Sequence, residues 1–193
     1  MNRVSAILLA GGKSSRMGRD KAALPFQGLT LLDWQIQRLR SLGVEDIMLS
    51  GLRREMAGIR VVADEFPGRG PLSGLHACMK AAARPSCLVL SVDVPLAPLP
   101  ALAELVRVHR ATGGKVTLLR HGDKWEPLMG VYQSELFRDA ERILQEKNTA
   151  VRRLLDETGF QVMDWPHDEG LFLNCNTPED YERLCRLAGQ IVE

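Results

Sequence analysis

A chain of 193 residues, 45% of them hydrophobic, is long enough to bury a sizeable core as one globular domain. Lys+Arg number 25 and Asp+Glu 24, a net charge of +1, and no basic tail or run of like charge is present, which argues against nucleic acid or an anionic membrane surface as partner. Cys78, Cys87, Cys175 and Cys185 form no CxxC pair and the histidines are scattered. A disulfide framework and a zinc site are therefore disfavoured, and reduced thiols in a cytoplasmic protein are expected.

In chain order, Val4 to Leu9 is a nearly continuous apolar run, the pattern of a buried strand. It is too short to span a membrane, and a glycine-rich loop follows it in place of a cleavage site, so the chain is read as mature from residue 1. Residues 30–42 predict a helix with Thr30 as cap, Asp33 at the capping-box position, Leu32, Ile36 and Leu39 as its apolar stripe and Gly43 as its stop. Ile47 to Leu49 and Ile59 to Ala63 read as strands, residues 72–83 as a helix, and Cys87 to Val92 as another apolar strand. Helices are expected over 98–111, 134–146 and 149–158, with strands near 115–120 and 128–132. A last helix begins at Thr177-Pro178-Glu179-Asp180. Alternating apolar strands and helices predict an α/β fold, a mainly parallel sheet covered on both faces. Ligands then bind beyond the carboxyl ends of strands, just after Leu9, Ala63 and Val92.

The loop after the first strand reads Leu9-Ala10-Gly11-Gly12-Lys13-Ser14-Ser15-Arg16-Met17-Gly18-Arg19-Asp20-Lys21. Glycines let backbone N–H groups approach phosphate oxygens, the serines add hydroxyl donors, and four cations fall within nine residues. A triphosphate is the natural occupant. The loop is not a P-loop, since the glycine needed at position 7 is Ile7, and the dinucleotide fingerprint GxGxxG is also missing. Asp93 closes the strand CLVLSV, where a carboxylate is costly unless paired or metal-bound, and it suits the single-carboxylate form of a Mg²⁺ site. Gly70-Pro71-Leu72-Ser73-Gly74 opens a helix, whose N-terminus suits an anion.

The stretch LAGGKSSRMGRDKAALP resembles the signature loop of the molybdenum cofactor nucleotidyltransferases. Further segments agree in order: Val61-Val62-Ala63-Asp64, Gly70 to Leu75, Asp93-Val94-Pro95, Glu126-Pro127-Leu128 and Asn174-Cys175-Asn176-Thr177-Pro178-Glu179. Together they extend over nearly the whole chain. The resemblance implies a Rossmann-like three-layer sandwich of the nucleotide-diphospho-sugar transferase type, one domain over residues 1–193. It implies Arg16, Lys21 and Asp93 as catalytic residues, with Asp93 as the Mg²⁺ ligand. GTP would be held by Leu9, Ala10, Gly11, Gly12, Ser14, Lys21, Asp64 and Asp93. The acceptor, molybdopterin or its molybdenum form, would meet Pro71, Leu72, Gly74, Asn174 and Asn176. The Ala10-Gly11-Gly12 form goes with guanine in that family, which points to its guanylyltransferase branch. An asparagine common near the second strand's end in the family is missing here, and Ser50 is its partial substitute. Trp125 is read as packing.

The expected reaction is GMP transfer from GTP to the phosphate of molybdopterin, with release of pyrophosphate. The alternatives are CMP transfer to the same acceptor, nucleotidyl transfer to a sugar or polyol phosphate, and a non-catalytic nucleotide-binding module docking on molybdoenzymes. A cytoplasmic monomer is expected, with molybdenum-insertion proteins and molybdoenzyme chaperones as partners and no nucleic acid or membrane.

Overall fold

The computed structural model describes residues 3–10, 21–51, 56–167 and 169–191. Nine strands and six helices are present among them: β1 (Ser5–Leu9), β2 (Pro25–Phe26), β3 (Leu29–Thr30), α1 (Leu31–Ser41), β4 (Ile47–Ser50), β5 (Arg60–Val62), α2 (Pro71–Ala81), β6 (Ser86–Ser91), α3 (Leu99–Thr112), β7 (Val116–His121), β8 (Lys124–Gln133), α4 (Phe137–Leu144), α5 (Val151–Thr158), β9 (Gln161–Asp164) and α6 (Pro178–Ile191). Seven strands form one sheet in the order β5-β4-β1-β6-β8-β7-β9. β1 pairs in parallel with β4 and β6, β4 with β5, and β7 with β9. Only β8 runs antiparallel, between β6 and β7.

The period-two geometry of a strand explains the continuous apolar run of β1. Ala6 and Leu8 enter the core under α1, α3 and α6, while Ile7 and Leu9 enter the one under α2, α4 and α5. The result is three layers, as the sequence pattern predicts. α1 starts as expected: the Thr30 hydroxyl accepts the Asp33 N–H at 3.1 Å and donates to the Asp33 carboxylate at 2.6 Å. α6 has a reciprocal capping box, with Asp180 N–H on the Thr177 hydroxyl and the Asp180 carboxylate accepting the backbone N–H groups of Asn176 and Thr177.

Four features differ from the sequence reading. A small hairpin, β2–β3, turns through Gln27 and Gly28, both at positive φ, as its two-residue turn requires. The expected helix over 134–146 begins as a tight 3₁₀ turn, Ser134–Leu136, whose Ser134 N–H is held by the Pro85 carbonyl, and only Phe137–Leu144 is α-helical. The strand expected near 128–132 extends over Lys124–Gln133, and its pairing with β7 shifts register between Leu118 and Arg120. That irregularity surrounds Pro127, which cannot donate to the ladder, and it turns Glu126, Pro127 and Leu128 toward the carboxyl end of β6. β9, which the sequence reading lacks, extends the sheet beside β7.

Candidate active site

The carboxyl ends of β1, β4 and β6 lie side by side, and two adjoining hollows open above them. The first, about 530 Å³, is lined by Leu9, Ser50, Gly51, Asp64, Gly68, Gly70, Pro71, Gly74, Ser91 and Leu128. The second, about 370 Å³, contains Asp93, Val94, Glu126, Ala150, Arg152 and Asn174. Pro71, Ser91 and Leu128 border both, so the hollows form one cleft with Asp93 beside the junction. The crevice beyond strand ends is where open α/β sheets bind ligands.

Lys21, Asp93 and Asn176 converge from three distant stretches. The Lys21 ammonium donates to the Asn176 side-chain oxygen at 2.7 Å and stands 3.8 Å from an Asp93 carboxylate oxygen. Asp93 is anchored through its backbone carbonyl, which accepts the Cys175 N–H at 2.7 Å. Its other carboxylate oxygen, Oδ1, is buried and has no hydrogen-bond partner among the described residues. A buried carboxylate oxygen left open in this way is expected where a ligand completes the site. Asn174 faces the second hollow with Asp93, and Asn176 meets Lys21. Burial holds the neighbouring Cys175 thiol up at about 11, so it is protonated near neutral pH and not a nucleophile.

Asp64 is tied to the first hollow by the Ser50 hydroxyl, which donates to it at 2.9 Å. Ser50 ends β4 and lines the first hollow. The Ala10 N–H donates to the Ser50 carbonyl at 3.0 Å, which joins the ends of β1 and β4. Gly74 stands against this junction. A Cβ there would lie 3.2 Å from the Leu9 side chain and overlap the Ser50 hydroxyl. Close approach of α2 to the strand ends thus requires glycine, and Gly74 sits with the residues expected for the nucleotide instead of with Asn174. Leu72 is fully buried in the core, so only its backbone is available to a ligand. Pro71 borders both hollows. Gly11, Gly12, Ser14 and Arg16 lie outside the described residues.

Sequence reading missed the support behind Asp93. α1 clamps the segment that carries it: the Gln35 amide donates to the carbonyls of Ser91 at 3.2 Å and Val94 at 3.0 Å, Trp34 to Pro95 at 2.9 Å, and Arg38 to Pro95 and Ala97. Burial lowers the Arg38 guanidinium to about 10. Gln35 is a buried polar residue on the stripe of Leu31, Leu32, Ile36 and Leu39, a signal available in the sequence once the helix is drawn. Arg152 was missed as well. It lines the second hollow and lies 4.6 Å over the ring of the half-buried Trp125, which itself packs on Phe160.

Residues 6–162 match the family described as a MobA-like NTP transferase domain. A protein of Opitutus terrae named a probable molybdenum cofactor guanylyltransferase is 36% identical over 191 residues, 93% of this chain and 94% of that protein. A molybdenum cofactor guanylyltransferase of Xanthomonas euvesicatoria pv. vesicatoria is 35% identical over 187 residues, 93% of each chain. Among solved structures, molybdopterin-guanine dinucleotide biosynthesis protein A from Archaeoglobus fulgidus superposes with a TM-score of 0.80 at 22% identity, over 97% of this chain and 100% of that one. The 2-C-methyl-D-erythritol 4-phosphate cytidylyltransferase of Thermus thermophilus does so with a TM-score of 0.71 at 16% identity, over 97% and 99%. Such distant likeness shows a shared fold, the three-layer α/β type that the sequence predicts. The residues matched and the near-full-length identity show more: the chain belongs to the MobA-like NTP transferase domain family and is a nucleotidyltransferase.

Proposed function

We propose that the chain, acting as one domain over residues 1–193, transfers GMP from GTP to the terminal phosphate of molybdopterin, with or without molybdenum, and releases pyrophosphate. The observation that carries this reading is the meeting of Lys21 and Asn176 with Asp93, which lines the second hollow. The names of the full-length relatives support the same donor and acceptor. The first hollow, with Leu9, Ser50, Asp64 and Gly74, would take the nucleoside. The second, with Asp93, Glu126, Arg152 and Asn174, would take the acceptor.

The open, buried Oδ1 of Asp93 fits a Mg²⁺ ion, a hard cation that takes one or two carboxylates together with substrate phosphates. When bound, Mg²⁺ supplies positive charge to the phosphate oxygens. Asp93 would hold the ion at the second hollow, and Lys21 places a further positive charge beside that carboxylate. An acceptor phosphate oxygen attacks the α-phosphorus of GTP as the bond from that phosphorus to the bridging oxygen breaks, and pyrophosphate leaves with the electron pair. The acceptor phosphate is already ionised near neutral pH, so no side chain has to remove a proton. Arg16 and the loop of Gly11, Gly12 and Ser14 are assigned to the phosphates, Ala10 with Leu9 to the base, Pro71 and Leu72 backbone to the acceptor. Lys21 stabilises charge as pyrophosphate departs. Positioning and preorganised charge carry the acceleration. A cytoplasmic monomer that passes its product to molybdoenzyme chaperones, and receives acceptor from molybdenum-insertion proteins, completes the reading.

The test is pyrophosphate release by the full chain with Mg²⁺, molybdopterin and either GTP or CTP. GTP is expected to support turnover and CTP to support little. Preference for CTP would overturn the guanine assignment, and no release with any phosphorylated acceptor would overturn the enzymatic one.

A further inference from the structure

A second cluster lies where the loop after β5 meets α2 and α4. Glu65 follows β5, His76 sits on α2 and Glu141 on α4, and one ligand atom from each falls within 4.8 Å of the others. His76 is fully buried, and neither ring nitrogen has a hydrogen-bond partner among the described residues. Phe66 meets the ring edge-on at 5.4 Å, and Phe137 packs at 6.4 Å. Buried imidazoles ordinarily find a polar partner, so an orphan ring beside two carboxylates marks an incomplete site. Lys80, one turn further along α2, donates to Glu65 at 2.8 Å and lies 3.9 Å from Glu141, so its ammonium holds their charge in the ion-free chain.

We propose that Glu65, His76 and Glu141 bind a divalent transition-metal ion, with Lys80 as its built-in competitor. One imidazole and two carboxylates form a set that suits Zn²⁺ better than Mg²⁺ and leaves a fourth position for water. Tetrahedral Zn²⁺ places its ligand atoms about 3.4 Å apart, so the two carboxylates have to draw inward slightly. Glu65 is exposed and Glu141 half-buried, and both side chains have room to move inward. The ion would join the β5–α2 loop to α2 and α4. Asp64, next to Glu65, points the other way, to Ser50. The site is therefore separate from the nucleotide hollow, and its test needs no catalysis.

The experiment is calorimetric titration of the full chain with Zn²⁺ in millimolar Mg²⁺, paired with thermal unfolding. One ion per chain and a higher Tm with Zn²⁺ are expected. Glu65→Gln, at an exposed position, and Glu141→Gln, at a half-buried one, keep the side-chain shape, and each should weaken binding at least tenfold and abolish the Tm gain. Lys80→Met should tighten binding severalfold, because the competing ammonium is gone. Absence of Zn²⁺ binding, affinity unchanged in both Gln variants, or no gain in Lys80→Met would overturn the proposal.

Discussion

Two aspartates stand at opposite ends of the parallel strands, and their surroundings differ sharply. Asp46 precedes β4 at the amino end. Its carboxylate accepts the Ser5 hydroxyl, the Ala83 N–H and the Arg60 guanidinium, and its backbone carbonyl accepts the Ala6 N–H. Asp93 follows β6 at the carboxyl end, with one oxygen near Lys21 and the other unpartnered among the described residues. Both are acids at strand ends, and sequence position alone does not separate them. Satisfaction does: Asp46 locks three strand starts together, whereas Asp93 is left with bonding capacity that a ligand can take. Parallel-sheet proteins use the carboxyl edge for binding, and this contrast shows the same asymmetry in bonding at single residues.

The contrast can be broken by substitution. Asp93→Asn should produce the largest effect, a loss of turnover of roughly 10³-fold, as for removal of a preorganised charge-stabilising group, with Tm unchanged or raised. Gln35→Leu releases the segment carrying Asp93 without touching substrate, so turnover should fall by about 10–10²-fold while KM for GTP stays near normal. Gly74→Ala pushes Ser50 and Leu9 apart, and KM for GTP should rise about tenfold, the size of roughly 1.4 kcal/mol of lost binding. Asp46→Asn should leave turnover per folded molecule intact. It weakens charge-assisted hydrogen bonds by about 2 kcal/mol in total, which for a chain of this size lowers Tm by roughly 4–8 °C.

The Asp46 deficit should also depend on pH. Burial alone raises its pKa, but the Ser5, Ala83 and Arg60 contacts outweigh burial and hold it below the usual value of 3.8. A depressed carboxylate contributes fully above its unfolded pKa and loses that contribution as pH falls through the folded value. The Tm gap between wild type and Asp46→Asn should therefore be constant above about pH 5 and close below pH 4.

Much of this architecture is legible in the sequence because it is local. The apolar runs of β1 and β6, the Thr30 and Thr177 caps and the Gly43 stop of α1, at φ 73°, each follow from a few neighbouring residues. β9 is not legible, because Gln161–Asp164 has only two apolar residues and gains its place by pairing with β7. Lys21 and Asp93 are visible through motif and chemistry, and they stand 3.8 Å apart. Arg152 is not, since charges on a helix such as α5 can face solvent or cleft, and only tertiary placement decides. His76 is hidden for the same reason: Glu65 and Glu141 are 11 and 65 residues away along the chain.

The central claim is that Lys21 and Asp93 act on one magnesium-bound nucleotide. The most direct test is a double-mutant cycle on GTP-dependent pyrophosphate release, with Lys21→Met, Asp93→Asn and the pair. Groups that serve one bound nucleotide are coupled, so the double variant should lose less than about tenfold beyond the worse single variant. Losses that multiply in full, or a single variant that keeps near-wild-type turnover, would contradict the account.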